Sequence, residues 1–136
     1  MKNLITLIMF VIVGSGIVSA QSKNYVESLT PSQIKNLENA ILSENDGLCR
    51  SAIYLAGKYQ LPQVEKALIT KLEKEEDPLN RVFIARVLHR INSDEGMKYI
   101  QQMTKNDSNE RVRVICSMLC EDYYKTRVNP VATLNQ

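Results

Sequence analysis

The segment DPLNR at residues 77–81 carries the pattern that decides the fold, an Asp followed four residues later by an Arg. The same Asp-x-x-x-Arg pattern recurs at a spacing of about 31 residues, in the pairs Asp46/Arg50, Asp77/Arg81 and Asp107/Arg111. A period between about 20 and 50 residues is typical of stacked supersecondary units, each too small to bury its apolar face alone. The pattern therefore predicts a repeat architecture.

Further matches at the same offset support the repeat. A shift by the spacing of the first two pairs superposes six residues of the first unit on six of the second: Pro31 on Pro62, Leu37 on Leu68, Ile41 on Leu72, Asp46 on Asp77, Leu48 on Leu79 and Arg50 on Arg81. A second shift keeps this register and then loses one residue before Asp107. A single deletion at a helix end is of the kind that loops absorb.

Helix start signals divide each unit into two helices. Residues 30–33, Thr-Pro-Ser-Gln, combine an N-cap, a first-turn Pro and a Gln three residues after the cap. Asp77 and Ser93 mark two further starts, and Asp107 or Ser108 is the expected cap of the last helix. No strand pattern competes. The six predicted helices span residues 31–44, 48–59, 62–75, 78–91, 94–105 and 109–124.

The helix after each Asp-x-x-x-Arg keeps an apolar register. Positions three and six residues beyond the Arg share one helix face, and we expect them to point inward. These positions are occupied by Ile53, Ile84 and Val114, and by Ala56, Val87 and Ser117.

These units resemble the HEAT-like repeats, including the bacterial variety named after phycobilisome lyases. In that family, Asp and then Val-Arg stand near the start of one helix, before an Ala- and Leu-rich stretch that ends near Gly. The matching residues here are Asp46, Arg50, Ala52, Ala56 and Gly57, then Asp77, Arg81, Ile84, Val87 and Leu88, then Asp107, Arg111 and Val114. The resemblance covers residues 31–124 and is weakest in the third unit, where Ser117 and Met118 replace Ala and Leu.

The resemblance implies an all-α fold, a short right-handed α-solenoid of about six helices. It also implies a structural ladder, in which the Asp and Arg of each unit form hydrogen bonds between successive repeats. The ladder residues would be Asp46, Arg50, Asp77, Arg81, Asp107 and Arg111. We therefore interpret the repeated acid and base as structural and not as three copies of a phosphate-binding site.

The N-terminus is typical of a secretory signal peptide. Lys2 precedes an apolar run at residues 4–13, and small residues at Val18-x-Ala20 match a cleavage site. An uncleaved anchor is the alternative, but residues 4–20 are shorter than the roughly 20 apolar residues of a membrane span. We expect a signal peptide at 1–20, a polar lead-in at 21–29, a repeat domain at 30–125 and a flexible tail at 126–136.

Export and charge limit the partners that the sequence predicts. The mature chain would lie in the periplasm or outside the cell, in a bacterium if the resemblance holds, with no integral membrane span. Without Lys2 it keeps 16 of its 17 basic side chains, against 15 acidic ones. This even balance gives no electrostatic reason to expect nucleic acid or an anionic membrane as the partner.

Residues with catalytic or metal-binding chemistry are few. Cys49, Cys116 and Cys120 form an odd set, best interpreted as small buried side chains. A redox pair or metal site at Cys116 and Cys120 is the alternative. With His89 as the only His, no zinc pattern is present, and no activated nucleophile or phosphate loop is found. We expect no catalytic residues, metal or cofactor.

The resemblance implies that the second helix of each pair lines an inner face. Rows of polar side chains would lie there, namely Lys35, Lys66 and Lys98 with Asn39, Thr70 and Gln101. A mildly basic groove of this kind could receive an acidic or extended peptide, although a merely soluble face is the alternative. We expect a non-catalytic protein-protein interaction module or scaffold. A self-assembling envelope component and an enzyme accessory that binds a small ligand stay open.

Overall fold

The computed structural model describes residues 29–128. Within this range the chain forms six α-helices and one short 3-10 helix, and no strand. The elements are α1 Pro31–Ile41, α2 Asp46–Lys58, the 3-10 helix Pro62–Val64, α3 Glu65–Lys74, α4 Pro78–Arg90, α5 Asp94–Asn106 and α6 Glu110–Val128. The predicted all-α class is confirmed. The right-handed solenoid stays a prediction, and the predicted signal peptide lies outside the described residues.

The helix boundaries differ from the predicted ones mainly at three places. The helix predicted from residue 62 begins with the 3-10 helix Pro62–Val64, so α3 starts at Glu65. Helix α1 ends at Ile41, three residues earlier than expected, and a turn closes it as the Ser43 backbone N–H donates to the Ala40 carbonyl at 3.2 Å. Helix α6 continues to Val128, so the first three residues of the predicted flexible tail are helical. The rest of that tail, 129–136, lies outside the described residues. No helix within 29–128 has the length and apolar character needed to cross a membrane.

Contacts divide the chain into two units, Met1–Gln33 and Ile34–Gln136, and the packing described here is that of the second. Helix α4 lies at its centre, between α2 and α6, and also contacts α3 and α5; α3 in turn packs on α5. Burying each large apolar side chain stabilises the fold by roughly 1.5–3 kcal/mol. The largest fully buried side chains are Ile41, Val64, Leu68, Leu72, Ile84, Leu88, Met97, Ile100, Val112 and Cys116.

The helix N-caps define a 32-residue structural period. Asn45, Asp77 and Asn109 begin α2, α4 and α6, and each side chain accepts a backbone N–H of the first turn, at 2.9, 2.8 and 3.0 Å. The sequence positions of these three caps are evenly spaced. The expected caps Asp107 and Ser108 are therefore wrong, because Asn109 holds that position. This even spacing of the caps also changes which residues of different units correspond.

The ends of α2 and α4 repeat with the same period. Gln60 and Asn92, one period apart, are the two non-glycine residues with positive φ in the described part of the chain, at 50° and 58°. Their backbone N–H groups donate three residues back, to Gly57 at 3.3 Å and to His89 at 3.0 Å. A left-handed residue after a helix turns the chain away from the helix axis. Helices α2 and α4 therefore end in the same way, whereas α6 continues through the corresponding position to Val128.

Buried positions follow the 32-residue period as well. One position of α2, α4 and α6 is occupied by Ala52, Ile84 and Cys116, and a second by Ala56, Leu88 and Cys120. All six side chains are buried. The expectation that Val114 and Ser117 point inward is wrong, since both are exposed. In the third unit Cys116 and Cys120 take the inward positions instead.

Candidate functional site

Two clefts adjoin at the turn between α4 and α5, and we call them the paired clefts. The first, of about 730 Å³, lies between α4 and α6. The second, of about 560 Å³, lies between the starts of α3 and α5. Asn92 lines both of them. Its backbone is in the left-handed conformation, at the turn that leads from α4 to α5.

The α4–α6 cleft has a cationic wall. Arg86 and Arg90 are exposed on α4 and lie one helical turn apart, on the same face. Neither forms an ion pair with another of residues 29–128. Between them, His89 Nε2 lies 2.9 Å from Asp122 Oδ2 of α6. With two guanidinium groups and one carboxylate, the lining carries a positive charge even when His89 is neutral.

A polar cluster fixes the end of α6 to the start of α5 beside this cleft. The Tyr123 hydroxyl donates to the Asp94 carboxylate, and Arg127 Nη2 lies 2.6 Å from Asp94 Oδ1. The Arg127 guanidinium also lies over the Tyr123 ring, 4.3 Å from its centroid. Burial and the Asp94 hydrogen bond raise the pKa of Tyr123 to about 12. The hydrogen bonds from Tyr123 and Arg127 lower the pKa of Asp94.

The α3–α5 cleft has the opposite charge. Glu65, Asp94 and Glu95 line it, with Lys98 as the one basic residue in its lining. Ser93, which caps α5, accepts the Gly96 backbone N–H at 2.8 Å and donates its hydroxyl proton to Glu65. This bond joins the start of α3 to the start of α5. The paired clefts therefore present a positive and a negative region side by side.

Arg81 and Asp107 are the predicted ladder residues that the structure brings together. Arg81 donates from Nε and Nη2 to the two Asp107 carboxylate oxygens, both at 2.8 Å, and from Nη1 to the Glu76 carbonyl at 2.6 Å. A smaller cleft of about 350 Å³ adjoins this pair. Since the guanidinium is already committed to protein oxygens, this cleft offers a ligand less positive charge than the wall formed by Arg86 and Arg90.

The other predicted ladder residues lie elsewhere. Arg50 donates to Asn80 Oδ1 at 3.1 Å, whereas Asp46 and Arg111 are exposed, with no side-chain hydrogen bond to the rest of 29–128. At the 32-residue period, the residues corresponding to Arg81 are Cys49 and Arg113. The Cys49 thiol donates to the Ile41 carbonyl at 3.0 Å. Arg113 Nη1 donates to the Asp107 carbonyl at 2.8 Å.

The predicted inner-face residues do not share one cleft. All are exposed except Thr70, which is half-buried: Lys35, Asn39, Lys66, Lys98 and Gln101. Lys35 lies 3.4 Å from Glu38, and Lys98 lines the α3–α5 cleft. Sequence reasoning missed the wall of Arg86 and Arg90, although their spacing of four residues was a readable signal. The pairing of His89 with Asp122, which lies on a different helix, depends on tertiary packing and left no local signal.

The paired clefts present charged groups and hydrogen-bonding groups to a ligand. A His–Asp pair such as His89 and Asp122 can serve as a general base. To do so, it needs a nucleophile or a bound water within hydrogen-bond reach of the His. The three thiols are buried, and burial raises the pKa of Cys116 to about 12, which leaves it unreactive at neutral pH. Residues 29–128 contain no group of three His, Cys, Asp or Glu side chains placed to hold a metal ion.

Comparison with known proteins gives no relative from which a function could be transferred. No family model matches the chain, and neither a curated protein nor a solved structure matches it. The residues of the paired clefts are therefore the basis for a functional proposal.

Proposed function

We propose that this protein is an exported, non-catalytic interaction module of the HEAT-like kind, which binds an extended segment of another protein in the paired clefts. The observation that carries the proposal is that the two clefts adjoin at Asn92. Two adjoining clefts suit a chain segment that passes from one to the other better than a compact small molecule. Repeat proteins use stacked helices in this way, presenting side chains to a partner at fixed positions.

The charges of the clefts define the kind of segment. An acidic side chain of the partner would lie against Arg86 and Arg90, which have guanidinium groups able to form paired hydrogen bonds with a carboxylate. A basic side chain would lie against Glu65 and Glu95 in the second cleft. Such a segment needs one acidic and one basic region separated by a few residues, since opposite charges on the two partners favour one orientation. Between the two clefts, the side-chain amide of Asn92 would form a hydrogen bond with the backbone of the partner segment.

Selection of linear peptides from a displayed random library tests the proposal directly. We expect the purified protein to enrich peptides that carry an acidic region and a basic region in one fixed order. The double variant Arg86→Glu, Arg90→Glu should lose these peptides, because it reverses the charge of the first wall. Failure to enrich any peptide class, or enrichment that survives this variant, would contradict the proposal.

A matched variant distinguishes the paired clefts from the inner face predicted from sequence. The Lys35→Glu, Lys66→Glu double variant makes the same change in net charge on exposed positions outside the clefts. We expect it to retain the selected peptides. If binding is lost in the lysine variant and kept in the arginine variant, the site lies on the inner face predicted from sequence.

Export has its own test, independent of binding. The protein recovered from the periplasm or medium of cells that express the full chain should begin at Gln21, one residue after the predicted cleavage point. N-terminal sequencing or intact mass measures this. A protein that retains residues 1–20 in the cell-associated fraction would contradict the export part of the proposal.

A further inference from the structure

Helices α2, α4 and α6 form a row in which each helix contacts the next. The positions that make these contacts inside the row are exposed on the two outermost helices, α2 and α6. Between α2 and α4, Arg50 donates to Asn80 at 3.1 Å, and a methyl group on Gly57 would lie 3.0 Å from Val87. We call the side of each helix that faces the next one its leading side, and the side that faces the previous one its trailing side. Arg50 and Gly57 therefore lie on a leading side, and Asn80 and Val87 on a trailing side.

The 32-residue period identifies the same two sides at the ends of the row. The leading side of α6, the last helix of the row, carries Val114 and Glu121, which correspond to Arg50 and Gly57. The trailing side of α2, its first helix, carries Leu48 and Leu55, which correspond to Asn80 and Val87.

Both end sides carry exposed apolar side chains, beside Glu121 on α6 and Lys58 on α2. On the leading side of α6, Val114 is 53% and Met118 is 63% exposed. On the trailing side of α2, Leu48 is 51% and Leu55 is 39% exposed. Repeat arrays that stay monomeric usually end in units with a polar outer face. Within residues 29–128, the outermost helices of this row instead expose large apolar side chains.

The two end sides complement each other in the register of the row itself. Inside the row, Arg50 contacts Asn80. If α6 packs on α2 of the next copy in the same register, the corresponding residues in contact are Val114 and Leu48, two apolar side chains. Inside the row, His89 lies 2.9 Å from Asp122. The corresponding residues between two copies are Glu121 and Lys58, which have opposite charges. We propose that copies of this chain associate head to tail, with the leading side of α6 packed on the trailing side of α2 in the next copy.

The proposal fixes the symmetry of the assembly. The two surfaces in contact differ, so the interface is heterologous. Each added copy uses one of its two end sides in the contact, so the row always keeps one free surface of each kind. Growth then continues into an open row unless the rotation between copies closes a ring. Head-to-tail association does not rest on the proposed function, because no residue assigned to the two end sides lines the paired clefts.

Mixing two blocked variants is the decisive experiment. Leu48→Asp blocks the trailing side and leaves the leading side intact, and Val114→Asp does the reverse; both positions are exposed, so both variants should fold. In sedimentation velocity of the wild type, we expect the average mass to rise with concentration past that of a dimer. Each variant alone should stay monomeric, and their mixture should form a dimer that grows no further. A wild type that stays monomeric up to about millimolar concentration, or stops at a symmetric dimer, would overturn the proposal.

Charge exchange across the interface gives a second, independent readout. Glu121→Lys alone and Lys58→Glu alone should each weaken association roughly tenfold or more, since each places like charges together. The double variant Lys58→Glu, Glu121→Lys should restore association. Lys66→Glu, on exposed α3 surface away from the interface, makes the same charge change and should leave association unaltered. Failure of the double variant to recover would overturn the assigned register.

Discussion

Arg81 and Asp107 are joined by two parallel hydrogen bonds of 2.8 Å across 26 residues of sequence. The pair ties the first turns of α4 to the loop between α5 and α6. Both side chains are largely buried, at 13% and 6% exposure. Paired geometry of this kind joins Arg to a carboxylate more strongly than a single bond does. Stability should therefore depend on this residue pair far more than on the other Asp and Arg residues of the repeated motif.

Replacing Arg81 by Ala should lower the free energy of unfolding by about 3 kcal/mol, because it leaves a buried carboxylate without its partner. Urea unfolding followed by circular dichroism measures this loss. Arg111→Ala is the matched control, since Arg111 occupies the same place in the sequence motif but is exposed. The control should change stability by at most about 0.5 kcal/mol. Equal losses in both variants would contradict the assignment of the ion pair.

Asp107 should give the protein an acid-sensitive component of stability. Burial raises its pKa, but hydrogen bonds from Arg81 and the Asn109 backbone, with the charges of Arg81 and Arg113, outweigh burial and lower the pKa below its ordinary 3.8. A carboxyl with a lowered folded-state pKa stabilises the fold above its unfolded-state pKa. This contribution is lost as the pH falls through the folded-state value.

The Asp107→Asn variant should therefore be less stable than the wild type near neutral pH, and the difference should shrink as the pH falls below about 4. Unfolding by urea at a series of pH values compares the two curves. A difference that stays constant down to the lowest pH at which the protein folds would show that the charge of Asp107 does not contribute.

Gly96 lies where a side chain does not fit. A methyl group there would approach Ser93 Oγ to 2.5 Å and Leu88 Cδ2 to 2.8 Å. Gly96→Ala should therefore destabilise the protein by about 1–3 kcal/mol through overpacking. At Gly47, also within a helix, the nearest such atom is Asn45 Oδ1 at 3.5 Å, and Gly47→Ala should stabilise by about 0.5–1 kcal/mol. Thermal unfolding of the two variants should shift in opposite directions; a shared direction would contradict this packing.

The cysteines should react only when the protein unfolds. Burial raises the pKa of all three thiols, that of Cys116 to about 12. Because the thiolate is the reactive form, alkylation at mildly alkaline pH should be slow in the native state and fast in denaturant. Mass spectrometry of peptides from timed labelling measures each site. Rapid native labelling of Cys116 would contradict its burial.

The fold class and three of the six helix starts could be predicted because their signals are local. A first-turn Pro at Pro31 and Pro78 and a cap at Ser93 act within one turn of the chain, and each predicted start agrees with the structure to the residue. The end of α1 could not be placed in this way. The turn signal at 45–47 belongs to the start of α2, and the helix before it ends at Ile41.

The register of the repeat was wrong by one residue in the first unit and by two in the third, for an identifiable reason. Asn and Asp cap helices about equally well, so the caps Asn45, Asp77 and Asn109 share a role without sharing a residue type. A pattern that begins with Asp selects Asp46 and Asp107 instead. The residues that correspond to Arg81 then shift from Cys49 and Arg113 to Arg50 and Arg111. Only the hydrogen bonds of the folded chain identify the corresponding positions.

The left-handed residues Gln60 and Asn92 also mark the two limits of a segment that a tandem duplication could repeat. Residues 61–92 begin after one of them and end with the other, and include one complete set of helix ends. A tandem duplication of this segment would return every cap and turn to its own place. Loss of one residue within a helix of the copy would turn the part of the helix after it by about 100° and point its apolar stripe away from its neighbour. We therefore expect a chain lengthened by whole copies of this segment to keep the packing between its helices.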